Sequence, residues 1–156
     1  MAADLIYAFR VMRLPLLDAG GAHIGRIEDI VVIPGRTGKG REPAIPPRVV
    51  GFVANSQRRR IFVCANRIAD LNSDGARLRS WDVDLNPFKP RPGEVLIGGE
   101  LIDRKIGDEP VSDIALRAHE DARSTYWVID KVRLARKSTL RRRPSYRLVD
   151  FDEVPA

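Results

Sequence analysis

The stretch HIGRIEDIVVI (His23 to Ile33) begins by alternating, Ile24 and then Arg26 and Glu28 against Ile27 and Ile30, and closes as a continuous apolar run. Alternation of period two that ends in such a run predicts a strand, wet at one end and buried at the other. RVVGFVA (Arg48 to Ala54) and RIFVCA (Arg60 to Ala65) are β-branched and aromatic, and the polar, basic NSQRRR between them predicts a hairpin. A further strand, ARLRSWDV, follows the turn signal NSDG. PVSDIALRAHEDARS (Pro110 to Ser124) has room for a turn or two of helix, and nowhere does a long apolar stripe recur at helical spacing. Many short strands joined by Gly, Pro and Asn turns predict small β-barrels or a sandwich. NPFKPRPGE (Asn86 to Glu94) is rich in proline, which cannot donate to a ladder, and is expected to be a joint.

The same order of features occurs twice. LLDAGGAHIGRIEDIVV is echoed by LIDRKIGDEPVSDIAL, matching Asp18 with Asp103 and Asp29-Ile30 with Asp113-Ile114; Gly25 falls opposite Glu109. RRRIFVCANRI is echoed by PSYRLVDFDEV, pairing 61–68 with 147–154. The expected organisation is a first unit over 1–85, a joint over 86–97 and a second unit over 98–156. Units of this size are marginal alone, so the two are expected to pack together.

Composition narrows the setting. The chain has 156 residues, 44% of them hydrophobic and 31% charged, with a net charge of +6 that points weakly to anionic partners. No apolar run approaches the roughly 20 residues that cross a bilayer, and the N-terminus lacks the pattern of a secretory signal. Cys64 is the sole cysteine, which excludes an internal disulfide, suits a reducing cytoplasm and is expected in the core.

Candidate chemistry is sparse. The glycines of DAGGAHIG lack dinucleotide spacing and precede a strand, so Asp18, Gly20 and Gly21 are expected to turn the chain. GRTGKG (Gly35 to Gly40) lacks the spacing of a phosphate-binding loop. His23 and His119 have no ligand partners at metal-binding spacing, and Asp150 and Asp152 are expected on a solvated strand face. No catalytic residue, metal site or cofactor is expected. The notable feature is a pair of basic tips at equivalent hairpins: Arg58, Arg59 and Arg60 in the first, and Arg136, Lys137, Arg141, Arg142 and Arg143 in the second. Such tips suit phosphate groups, and equally guard sheet edges from aggregation.

LPLLDAGGAHIGRIEDIVV, RVVGFVA, RRRIFV and ANRI together resemble a PRC-barrel domain, an SH3-like β-barrel. Phe88, Arg91-Pro92-Gly93-Glu94, GGELIDRKI and the closing DFDEV (Asp150 to Val154) are similar to the N-terminal region of actinobacterial MgtE-type magnesium-transporter proteins. The resemblance implies an all-β fold of two tandem PRC-type barrels with short helical turns. It also implies a non-catalytic cytoplasmic interaction or regulatory module, tied to magnesium transport or ion homeostasis. In that family the barrels precede a helical magnesium-sensing domain and paired CBS domains, without counterpart in these residues, which would make this chain a fragment or a stand-alone version. The implied partners are a protein or adjoining regulatory domain, a second copy of the chain, or an anionic lipid surface at the inner face of the plasma membrane. The alternative is an RNA- or ribosome-associated module using the arginine tips, by analogy with a ribosome maturation factor that carries the same domain.

Overall fold

The computed structural model describes residues 5–34, 47–79, 89, 91–106, 109–120, 125–136 and 145–150. The fold is all-β: a curled sheet with short helical turns packed on it. In chain order the strands are β1 (Leu5–Tyr7), β2 (Pro15–Leu17), β3 (His23–Ile33), β4 (Arg48–Ser56), β5 (Arg59–Cys64), β6 (Ile68–Asn72) and β7 (Gly75–Leu78) in the first half. The second half has β8 (Val95–Leu96), β9 (Lys105–Ile106), β10 (Glu109–Glu120), β11 (Thr125–Arg136) and β12 (Ser145–Asp150). A helical turn α1 (Ala8–Val11) follows β1, a π-type turn (Ile97–Leu101) follows β8, and a third short turn (Ala65–Arg67) follows β5.

HIGRIEDIVVI forms β3 as its alternation predicts, and the hairpin of RVVGFVA with RIFVCA is β4–β5. PVSDIALRAHEDARS overturns the helical expectation. Its described part lies in β10, a strand paired to both β1 and β11, and two-sided pairing overrides local helix propensity. The glycine-rich stretch turns the chain between β2 and β3. Asp18 Oδ1 accepts the amides of Gly20 and Ala22, both at 2.9 Å, and Gly21 takes φ 93°.

The register shows how closely the halves repeat. Ile27 and Asp29 pair with Ala54 and Val53 across a bulge, and Val111 and Asp113 pair with Leu134 and Arg133 across another. A second bulge recurs between Val31 and Val32 and between Ala115 and Leu116. Ala54 opposite Ile61 corresponds to Leu134 opposite Arg147, so the match of Ile61 with Arg147 holds. Leu16 opposite Gly25 corresponds to Ile106 opposite Glu109, confirming that match too. Asp18 and Asp103 do not correspond: Asp18 follows β2, whereas Asp103 precedes β9, with φ 70°. The slip lies in the loop: Leu16 and Gly25 stand nine positions apart and Ile106 and Glu109 only three, so the loop of the second half is six residues shorter rather than one. A smaller shift lies upstream, where α1 closes on a Met12 N–H to Ala8 O bond and the turn after β8 closes on Ile102 N–H to Ile97 O, one inserted residue absorbed as a π-type turn.

The repeats do not stand side by side as separate sheets. β1 of the first half pairs with β10 of the second, Ile6 opposite Leu116. Reciprocally, β8 of the second half pairs with β3 of the first, Val95 opposite Val32. The seam between halves is the pairing of Arg48 in β4 with Val128 in β11. These two positions correspond in the repeat, so the contact lies on a pseudo-two-fold axis. One apolar cluster runs through both halves, where Phe52 meets Trp127 edge-on with centroids 6.1 Å apart.

Candidate interaction site

The only buried charged side chains among the described residues are Asp29 and Asp113, the repeated aspartates. Asp29 Oδ1 accepts the amides of Ile30 (2.7 Å) and Gly98 (2.6 Å), and its Oδ2 accepts that of Gly99 (3.0 Å). Asp113 Oδ1 accepts the amides of Ile114 (2.8 Å) and Phe9 (3.1 Å). Gly98 and Gly99 belong to the helical turn of the second half, and Phe9 to that of the first. The amides at the start of a helical turn have no partner within it, and each carboxyl supplies one from the opposite repeat. Both oxygens of Asp29 and Oδ1 of Asp113 are thus engaged by backbone amides.

Of the two basic tips, one falls within the described residues. β4 and β5 are joined by Gln57 and Arg58, at φ 52° and 67°. Two consecutive left-handed residues make the type I′ turn that matches the twist of a hairpin. Arg58, Arg59 and Arg60 are all exposed, and Arg60 Nε lies 3.2 Å from Glu28 Oε2. The register adds a residue that sequence reasoning missed. Arg26 in β3 opposes Asn55 in β4, which opposes Arg60 in β5. Directly opposed residues share a face, so the exposed Arg26 and Arg60 lie in one row across three strands. The outward position of Arg26 in the alternation of HIGRIEDIVVI was the available signal. In the second unit, Arg136 opposes Ser145 at the equivalent end of the β11–β12 pair, while Lys137, Arg141, Arg142 and Arg143 lie outside the described residues.

Other candidates resolve individually. Cys64 corrects its expectation: it is exposed, because strand parity sends Ile61 and Val63 inward and Phe62 and Cys64 outward. His23 is exposed beside the β2–β3 turn, and His119 stacks on Tyr126 with centroids 5.4 Å apart. Arg117 and Asp130 form an ion pair at 3.0 Å. The hydrogen bond from Arg117 holds the Asp130 carboxyl below its ordinary range, against a smaller opposing effect of burial. Gly35 to Gly40 and Asp152 lie outside the described residues. Among the described residues no helix is long and apolar enough to cross a membrane.

No family model matches the chain, and neither a curated protein nor a solved structure matches it.

Proposed function

We propose that this chain is a non-catalytic, cytoplasmic interaction module of PRC-barrel type whose arginine-bearing hairpin tip engages an anionic partner. The observation that supports this reading is Arg58. It occupies a left-handed position, φ 67°, where glycine is favoured and any residue with a Cβ carries a cost on the order of 1 kcal/mol. Hairpins of this type ordinarily place Asn-Gly at these two sites. An arginine held there, with exposed Arg59 and Arg60 behind it and Arg26 in the same row as Arg60, has charge kept at the expense of an easier turn. The engagement of both buried aspartates with backbone amides fits a scaffold whose chemistry lies on its surface. The sequence resemblance supports a regulatory link to MgtE-type magnesium transport or ion homeostasis, with an adjoining regulatory domain, a protein or an anionic inner membrane surface as partner.

The test is co-sedimentation with phosphatidylserine-containing vesicles, run beside gel shift with a single-stranded RNA. Retention by vesicles that weakens with salt, and falls several-fold in an Arg58→Ala/Arg59→Ala variant, is the expected result. Binding of RNA in preference to vesicles moves the reading to the nucleic-acid module. Binding of neither at low salt removes the anionic-partner proposal. The magnesium link is tested separately, by comparing the magnesium content of cells with and without the gene.

A further inference from the structure

The contacts between the halves are reciprocal. A strand of one half lies on the long central strand of the other, and its helical turn is capped by the aspartate on that strand, once in each direction. We infer that each repeat is the binding partner of the other. The receptor is the edge of a long strand (β3 or β10) with its buried aspartate, and the ligand is the short apolar strand paired to that edge, followed by a helical turn whose leading amides point at that carboxyl.

The recognition chemistry is explicit. Main-chain pairing supplies the generic part, as in any strand added to a sheet edge. Specificity comes from two further requirements. The residue after the strand must bury a side chain in the shared core, as Ala8 and Ile97 do at full burial. The next residue must present its amide to the aspartate, as Phe9 and Gly98 do. At Gly98 an added Cβ would lie 3.0 Å from Asp29 Oδ1 and 2.9 Å from Met12 Sδ, so the Asp29 receptor favours glycine over a larger residue. The Asp113 receptor takes Phe9, a residue 40% exposed. The two receptors are therefore alike in backbone chemistry and distinct in side-chain preference. The partner each half fits is a second repeat of this kind, and an interface in which each side gives and receives the same element is an internal counterpart of an isologous dimer. The inference goes beyond the anionic-partner proposal and stands independently of it.

A protease site inserted between Asp84 and Leu85 of the full chain tests this. After cleavage the fragments should co-elute as one species with an unchanged far-ultraviolet spectrum. When tagged and untagged cleaved samples are mixed in urea and diluted together, native mass spectrometry should find hybrid pairs. In the Asp29→Ala/Asp113→Ala background, pairing should weaken at least tenfold. Fragments that separate into two folded species, or hybrids that form equally well without both aspartates, would overturn the inference. If the insertion is not cut or prevents folding, hydrogen exchange of the unmodified chain in increasing urea decides. Peptides covering β3 and β10 should lose protection at the same urea concentration, and loss at separate concentrations overturns the proposal.

Discussion

Asp29 and Gly98 stand 69 positions apart in the chain, yet the Gly98 amide donates to Asp29 Oδ1 at 2.6 Å. The partner relationship, Phe9 N–H to Asp113 Oδ1, spans 104 positions in the opposite sense. Removing Asp29 orphans the buried amide of Ile30 and the part-buried hydrogen bonds from Gly98 and Gly99, whereas removing Asp113 orphans the buried amide of Ile114 and the part-buried hydrogen bond from Phe9. With about 1–3 kcal/mol for each strongly desolvated group, Asp29→Ala is expected to cost about 3 kcal/mol. Asp113→Ala should cost somewhat less. Urea unfolding of both variants checks the order as well as the size.

Gly25 is fixed by packing, not by backbone conformation. A Cβ there would sit 2.5 Å from the carbonyl oxygen of Asn55, a backbone atom that cannot swing aside. Gly25→Ala should therefore destabilise the fold by about 2 kcal/mol, in the range of overpacked interiors. At the corresponding position the second repeat already carries Glu109, so the constraint on a Cβ belongs to the first repeat. Thermal unfolding of Gly25→Ala beside the parent reads the loss.

The turn at the arginine tip gives a prediction of opposite sign. Gln57→Asn with Arg58→Gly installs the residues the type I′ geometry favours and should stabilise the chain by about 1 kcal/mol. The same change removes one exposed charge and should reduce retention on anionic vesicles. A variant that is more stable and binds less well is the pattern expected of charge kept for function.

Acid dependence follows from Asp130. Its carboxyl is held low by the hydrogen bond from Arg117, so the stabilisation is complete above the carboxyl's unfolded pKa and is lost as pH falls through the lower folded value. Asp130→Asn should be less stable than the parent at neutral pH. The gap should close in strong acid, where the parent's carboxyl is also protonated. Urea midpoints measured at neutral and acid pH follow that convergence.

Cys64 is exposed on the outer face of β5. Titration of the native chain with a thiol reagent should modify one equivalent without denaturant, at the rate of an accessible cysteine.

Much of this was legible in the chain. His23 to Ile33 announced β3 by its alternation, and Asp29-Ile30 with Asp113-Ile114 marked the repeat, because a bulge and a buried acid recur there in matching register. The mutual clasp was not legible. β1 and β8 are three and two residues long, too short to carry a period, and which strand they join is decided by tertiary packing. The match of Asp18 with Asp103 failed for a related reason, since β9 is two residues long and only its pairing with β10 shows that the loop of the second half is six residues shorter. Cys64 was misjudged because IFVCA (Ile61 to Ala65) is apolar throughout, so hydrophobicity gave no parity and only pairing with β4 assigned its face. Arg26 needed the sheet register, since it lies far in sequence from the hairpin whose row it extends.

The central claim is that each repeat's aspartate holds the helical turn of the other. Amide chemical shifts and hydrogen exchange in a labelled Asp29→Ala variant test it most directly. The account predicts the largest changes, and a loss of protection, at Gly98 and Gly99 as well as at Ile30, with the reciprocal effect at Phe9 in Asp113→Ala. Changes confined to the neighbours of Asp29 within its own repeat, with Gly98 and Gly99 unmoved, would contradict it.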